Sequence, residues 1–301
     1  MGVTCPSLYR RCTVHLLRKW PSIIGLLLLA VLMQGCSAVR LGYNNAPQLA
    51  YWWLDGYFDF DRAQSVKVRA DLQTLLNWHR KEEVPLLEQQ LTRLLVLAPQ
   101  DITPTQVCNV YADLQTRAVS AMDSAAISLA ASATTLQEPQ LQYLDRAFEK
   151  KDREWREEWL EGTAEERAER RFKRAVEWSE WFYGSLSTAQ VAMLTSRFAN
   201  SQFDPEVQHR EKLRRHQDLV ATLRGLLNKP LPLAQADLRA LLQRTVVSAD
   251  VSYRQHLELL VQENCVTVAI LHNSSTLRQR AKLVKTLQGY RGDAQALANP
   301  S

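Results

Sequence analysis

The sequence predicts an all-α fold, a multi-helix bundle built from long amphipathic helices. Apolar residues recur at intervals of three or four along most of the chain, which is the period of a helix with one buried face. Glycine is scarce, with 10 residues in 301. No segment combines period-two alternation with a hairpin turn, so strands are not expected.

The first 35 residues have the layout of an export signal peptide. The segment contains no acidic residue, and its basic side chains are Arg10, Arg11, Arg18 and Lys19. An apolar run follows at residues 23–33. This run is shorter than the about 20 apolar residues that a spanning helix needs, but it suits a signal peptide. Residues 1–35 are therefore predicted to be removed.

The signal ends in Met33-Gln34-Gly35-Cys36, which resembles the lipobox of bacterial lipoproteins, although Met33 stands where Leu is usual. In those proteins the cysteine Sγ receives a diacylglycerol, the signal is cleaved before it, and the new amino group is acylated. The resemblance implies lipidation at Cys36. Because Ser37 rather than Asp follows, it also implies sorting to the periplasmic face of the outer membrane. An ordinary cleaved signal, or an uncleaved anchor with a chance cysteine, is the alternative.

Most of the net charge belongs to this leader. The whole chain has 37 basic and 32 acidic residues, a formal charge of +5. Four basic and no acidic residues lie in residues 1–35, so 33 basic and 32 acidic residues remain, a charge of +1. The isoelectric point near 9.0 therefore reflects the leader, and nucleic acid is not an expected partner.

The cysteines agree with an exported protein. Cys5 and Cys12 lie in the leader, Cys36 is the lipidation site, and Cys108 and Cys265 are left as one pair. In an oxidising compartment such a pair is predicted to form a disulfide, with two separate buried thiols as the alternative. No Cys-x-x-Cys occurs, which disfavours a redox catalyst.

The elements before residue 100 are a tether, an aromatic segment and two helices. Residues 36–60 are predicted to form a lipidated tether followed by the aromatic segment, and residues 61–301 the helical domain. Asp61 is a suitable cap for the first helix, which Pro85 kinks or divides from a second helix at 86–97.

Further helices follow a loop near residue 100. Thr103 and Pro104 suit the start of a long helix with a continuous apolar stripe. The strongly charged stretch 141–181 is interrupted at Gly162-Thr163. The remaining helices are predicted at 187–199, 204–227, 234–261 and 276–287.

Several of these helices begin with a Ser/Thr-x-x-Gln box. In such a box the hydroxyl accepts from the third helical N–H, and the Gln side chain accepts from the N–H of the cap. The copies are Ile102-Thr103-Pro104-Thr105-Gln106, Leu186-Ser187-Thr188-Ala189-Gln190, Ser275-Thr276-Leu277-Arg278-Gln279 and a degenerate Leu231-Pro232-Leu233-Ala234-Gln235, with a Glu version at Thr163-Ala164-Glu165-Glu166. The boxes resemble the LTxxQ motif of small periplasmic chaperones, which implies binding of unfolded clients. Helix initiation alone is the alternative.

A broader resemblance covers most of the chain after the leader. Segments spread along it are similar to an uncharacterised family of Gram-negative lipoproteins: Leu41-Gly42-Tyr43-Asn44-Asn45, Trp53-Leu54-Asp55-Gly56-Tyr57, Trp78-His79-Arg80, Phe182-Tyr183-Gly184-Ser185-Leu186 and Arg278-Gln279-Arg280 with Leu287-Gln288-Gly289-Tyr290. The resemblance implies an envelope location and a helical fold, and it supplies no catalytic residues.

Aromatic residues on the charged helices are the candidate binding residues. They lie at helical spacing, and the candidates for a partner groove are Trp155, Trp159, Trp178, Trp181 and Phe182. Inward packing of the rings is the alternative. His209 and His216 lie seven apart without a His-Glu-x-x-His motif, so they are interpreted as solvated, and no metal site is predicted.

The sequence predicts no catalytic residue and no cofactor. The leading hypothesis is a lipid-anchored envelope protein that acts as a helical interaction or chaperone-like module, with envelope proteins as partners. The alternative is an enzyme or carrier acting on envelope lipid or cell-wall material, which a pocket lined by Asp55, His79 or Arg80 with shifted pKa values would favour. A purely structural tether is a third possibility.

Overall fold

The computed structural model describes residues 35–299, with side chains from residue 38 onward. All regular secondary structure in this range is helical, which confirms the all-α prediction. Residues 1–34 of the predicted signal peptide and the side chain of Cys36, the predicted lipidation site, lie outside the described residues. Within residues 35–299 no helix combines the length and apolar character needed to cross a bilayer.

The chain divides into two compact units at Asn44 and Asn45. The first unit contains helix α1 (Gly35–Asn44), so the residues predicted to be a tether are largely helical. The second unit begins with helix α2 (Ala46–Phe58), which lies before the predicted start of the helical domain at residue 61. Tyr51 of α2 is buried against Val68 and Leu72, so α2 packs against the helix that follows it.

The other helices of the second unit follow in chain order. They are α3 (Arg62–Trp78), a π-helical turn (His79–Glu83), α4 (Val84–Leu97), α5 (Pro104–Ala133), α6 (Glu138–Trp159), α7 (Ala164–Tyr183), α8 (Thr188–Ala199), α9 (Pro205–Leu226), α10 (Leu231–Val246), α11 (Val251–Asn273) and α12 (Leu277–Ala298).

Most predicted helix starts are confirmed, and one predicted helix is wrong. The capping boxes at Thr103, Thr163, Ser187 and Thr276 are all formed. The predicted helix at 234–261 is instead α10 and α11, since the Asp250 side chain accepts the Tyr253 N–H at 2.9 Å and starts a new helix within the continuous apolar stripe. The degenerate box at Leu231 has no side-chain cap.

Helix α5 runs through the middle of the second unit. Helices α3, α10 and α11 pack along it, and small residues such as Ala126 and Ala130 on its buried face permit close approach of α10. Cys108 of α5 and Cys265 of α11 form a disulfide with their Cα atoms 5.5 Å apart. Helix α12 packs against α4 and α7 and closes a second core around Leu283 and Leu287.

Candidate functional site

A large cavity runs through the second unit between α6 and α9 and their neighbours. Its volume is about 1100 Å³, and its lining is mostly aromatic and aliphatic. Protein interiors leave few voids larger than a water molecule, so a volume of this size is typical of a ligand site. The aromatic side chains of the lining are Trp53, Tyr57, Phe58, Phe60, Phe148, Trp155, Trp159, Trp178, Phe198, Phe203 and Tyr253.

Helices α6 and α9 provide the long walls of the cavity. Leu144 and Trp159 both line it from α6, and fifteen residues of helix at about 1.5 Å each separate them by about 22 Å. Gln208 and Leu223 line it from α9 over the same number of residues. The cavity is therefore elongated, and its long axis follows these two helices.

Two histidines of α9 face carboxylates of α6 beside the cavity. His209 stacks on the Trp155 ring with centroids 5.3 Å apart, and its Nε2 lies 2.9 Å from Asp152 Oδ1. The His216 ring lies 4.2 Å from Phe148, and its Nε2 lies 3.0 Å from Asp145 Oδ1.

The interpretation of these histidines as solvated was therefore wrong. Both rings are half-buried, because in each case α6 supplies a carboxylate and an aromatic ring three residues apart. Among the residues that the structure describes, no cluster of three His, Cys, Asp or Glu side chains could hold a metal ion.

Arg171 of α7 lies at the end of the cavity formed by α8 and the loop that follows it. Its Cζ is 4.1 Å from the centre of the Phe203 ring and 5.3 Å from that of Phe198. Its Nη2 donates to Ser201 Oγ at 2.8 Å. Arg174, one turn further on, has its Cζ 4.6 Å from the Trp159 ring and pairs with Glu158.

A buried carboxylate lies on the α9 side of the lining. Glu211 accepts from Arg214 Nε at 2.7 Å and from Arg215 Nε at 2.6 Å. Burial by itself would raise the pKa of this carboxyl group, but the hydrogen bonds from the two arginines and from Ser248 outweigh it and lower the pKa to about 2. Glu211 is thus held ionised, and its carboxylate is hydrogen-bonded to both arginines.

The five candidate binding residues lie in three different environments. Trp155 and Trp159 are half-buried and line the cavity. Trp178 also lines it and is 68 % exposed. Trp181 is 60 % exposed, lies outside the lining and donates from Nε1 to Tyr290 Oη at 2.7 Å. Phe182 packs into the second core, so it contributes to stability rather than to the cavity.

The residues named for an enzymatic pocket do not line this cavity. Asp55 Oδ1 accepts the Phe60 N–H at 3.0 Å, which is a local turn contact. His79 lies in the π-helical turn, where burial lowers its pKa and Glu83 opposes that effect. Arg80 borders a separate polar pocket of about 530 Å³.

The cationic end of the cavity was not predicted from the sequence. Arg171, Arg174, Ala175 and Trp178 all line it from α7, at positions i, i+3, i+4 and i+7. This spacing on one helical face was a signal that could have grouped Arg171 with Trp178. The side chains that α2 adds to the cavity lining, such as Tyr57, had no such signal, because nothing in the sequence indicates that α2 packs against α6.

Comparisons with known proteins add one assignment. No curated protein and no solved structure matches the chain significantly. One family profile does match, over residues 56–254, a range that contains α3 to α10 and most of the cavity lining. The match spans more than half of the chain, so the protein belongs to DUF6279, a family of unknown function.

Proposed function

We propose that this protein is a lipid-anchored binding module of the Gram-negative envelope whose cavity takes in the apolar part of an amphipathic ligand. The observation that carries the proposal is the elongated cavity of about 1100 Å³ with its aromatic and aliphatic lining. Ligand pockets commonly measure about 300–1,000 Å³, are mainly apolar and contain a few placed polar groups. The volume of this cavity is slightly above that range, and its lining fits the description.

The envelope location is supported by the sequence alone. A basic start, a short apolar run and Gly35-Cys36 occur in the order of a lipoprotein signal, and Ser37 favours sorting to the outer membrane. On this proposal the acyl chains on Cys36 hold the helical unit at the periplasmic face. Confinement there raises its effective concentration toward lipids and envelope proteins.

The charged groups of the lining support binding rather than catalysis. Glu211 is engaged by two arginines, and the His216 ring is paired with Asp145 and packed on Phe148. Catalysis needs ionisable groups that are poised to exchange protons or attack a substrate. These groups instead satisfy one another.

Photolabelling with a neutral chain tests the proposal. The full chain, reconstituted in phosphatidylcholine nanodiscs, is irradiated with a diazirine-bearing hexadecanol and digested for mass spectrometry. We expect adducts on the cavity faces of α6 and α9. The variant Ala175→Trp fills cavity space, and it should reduce these adducts about tenfold, because the chain can no longer occupy that volume.

The matched control is Ala112→Trp, which adds the same side chain at an exposed position of α5 outside the cavity. It should label like the unmodified protein. Adducts confined to the surface, or equal cavity labelling in the two variants, would overturn the proposal.

A second candidate function is supported by the exposed rings of α7. Trp178 and Trp181 are 68 % and 60 % exposed, and exposed tryptophans are common anchors of protein interfaces. Such a surface would suit a chaperone-like module that holds envelope proteins. Suppression of aggregation of an unfolded outer-membrane protein, lost in Trp181→Ala but kept in Ala175→Trp, would favour this function over cavity binding.

A further inference from the structure

Arg171 is the one cation of the cavity lining that has no ion pair among the residues whose side chains are described. The other charged groups of the lining are paired: Arg174 with Glu158, Lys212 with Asp152, Arg215 with Glu211 and His216 with Asp145. A cation removed from water without a carboxylate in ion-pair contact is costly, so this exception in a ligand-sized cavity is informative.

The surroundings of Arg171 desolvate it without neutralising it. Phe198 and Phe203 lie within cation–π distance of its guanidinium, and its hydrogen-bond acceptor is the uncharged Ser201 hydroxyl. Burial lowers the pKa of Arg171, and Glu263 opposes that effect from beyond ion-pair distance. The Glu263 carboxylate itself accepts the Gln202 N–H at 2.9 Å.

We infer that Arg171 binds the anionic head group of a ligand whose single acyl chain occupies the rest of the cavity. The inference rests on the proposed function and adds the chemistry of the ligand. A guanidinium is planar and binds a carboxylate or phosphate through two parallel N–H donors, and one Nη of Arg171 is used by Ser201. Its charge and its remaining donors match one anionic group.

The length of the cavity fits one acyl chain. The Trp159 and Phe203 rings lie 6.3 Å apart at the Arg171 end, and the Tyr57 and Phe148 rings lie 5.5 Å apart further along α6. The fifteen residues of α6 from Leu144 to Trp159, at about 1.5 Å each, give the cavity a length of about 22 Å. One acyl chain reaches across one leaflet of a bilayer core, about 15 Å, so a single chain and a small head group fit this length. The ligand class is therefore a fatty acid or a lysophospholipid with an anionic head.

Chain-matched photoprobes test this inference. The nanodisc preparation is labelled with diazirine-bearing hexadecanol, palmitate or palmitoyl lysophosphatidate. We expect the two anionic probes to label the cavity about tenfold more than the alcohol, as one charge-assisted pair predicts. Arg171→Gln should remove this preference and leave labelling by the alcohol unchanged. The stronger of the two anionic probes identifies the head group.

Lys173→Gln is the matched control, because Lys173 is a cation of the same helix that is exposed, pairs with Glu169 and lies outside the cavity lining. It should keep the preference for the anionic probes. Acetate and inorganic phosphate should not compete, since they lack the chain. Competition by either ion at the concentration of the probe would show a simple anion site and overturn the inference.

The failures of the two proposals are distinguishable. Absence of cavity labelling by every probe would overturn the proposed function itself. Equal labelling by alcohol and palmitate in the unmodified protein would overturn the inference alone, as would loss of all labelling in a folded Arg171→Gln protein. If Arg171→Gln fails to fold, the comparison of the alcohol probe with the two anionic probes in the unmodified protein still decides the inference.

Discussion

Glu211 is a carboxylate that owes its ionised state to its neighbours. It is 5 % exposed, and Arg214, Arg215 and Ser248 donate hydrogen bonds to it. A buried charge is tolerated when such donors satisfy it, and removing one partner leaves an uncompensated charge. The residue therefore fixes two arginines, one of which lines the cavity.

The Glu211 network should make stability pH-dependent below pH 4.5. The pKa of Glu211 is lowered from 4.5 to about 2, so its contribution is fully present above pH 4.5 and is lost as the pH falls toward 2. Glu211→Gln should cost about 3 kcal/mol of unfolding free energy at pH 7. It should also flatten the dependence of the unfolding free energy on pH between pH 4.5 and about 2. Urea unfolding from pH 2 to 7 measures both.

Glu157→Gln is the control for this prediction, because Glu157 is exposed on α6. It should leave the unfolding free energy and its pH dependence unchanged. Identical pH profiles for the unmodified protein and Glu211→Gln would contradict the assigned role.

At the scale of elements, capping boxes join helices as well as start them. Gln190 and Gln279, the glutamines of the boxes of α8 and α12, donate to each other through their side-chain amides at 3.1 and 2.9 Å. Gln64 and Gln140, at the starts of α3 and α6, repeat the arrangement at 3.0 and 2.7 Å. Each pair locks two helix N-termini together.

The paired boxes explain why glutamine rather than glutamate stands at these positions. Each amide accepts from its own cap and donates to the partner helix, which a carboxylate cannot do. Gln190→Glu should therefore cost about 1–3 kcal/mol of unfolding free energy, as a buried donor–acceptor pair is broken. Thermal unfolding at pH 7 measures the loss.

The box at Thr103 supplies the matched substitution. Gln106 accepts from the Thr103 N–H at 2.8 Å, and its hydrogen bonds stay within its own box. Gln106→Glu keeps that acceptor and should be nearly neutral. If Gln106→Glu and Gln190→Glu destabilised the protein equally, the inter-helix role of the amide pair would be wrong.

At the scale of the whole molecule, the proposed anchor and the disulfide constrain the chain at two distant points. The Cys108–Cys265 bridge joins residues 157 apart in sequence, which in the chain-entropy model is worth roughly 4–5 kcal/mol. Such bridges form in oxidising compartments, so this bridge suits the proposed location.

Lipidation at Cys36 is tested in cells. Cys36→Ser should abolish palmitate labelling and signal processing, because the thiol that accepts the diacylglycerol is gone, whereas Cys12→Ser in the leader should change neither. Membrane fractionation should also show that the Ser37→Asp variant stays in the inner membrane, because Asp at this position would reverse the proposed sorting. Persistent labelling of Cys36→Ser would refute the proposed anchor.

Much of the helical framework was predictable from local signals. The caps at Asp61, Thr103, Ser187 and Thr276 use contacts within one turn, so short sequence patterns are sufficient to find them. The break between α10 and α11 was missed because the apolar stripe continues across it and Asp250 carries the only local cap. Apolar periodicity reports which face is buried and does not report where the helix turns away.

The sequence by itself determined that the chain is helical, where most helices start, and that two cysteines were available for one bridge. Only the tertiary structure decided that α2 joins the helical unit, that the boxes pair through their glutamines, and that Arg171 lines a cavity without an ion pair within the described part of the chain. These features depend on contacts between residues far apart in the chain, such as Tyr57 with Phe148 and Arg171 with Phe203. The sequence pattern shows the helical periodicity and the caps. The burial and charge pairing of a residue depend on which helix packs against it.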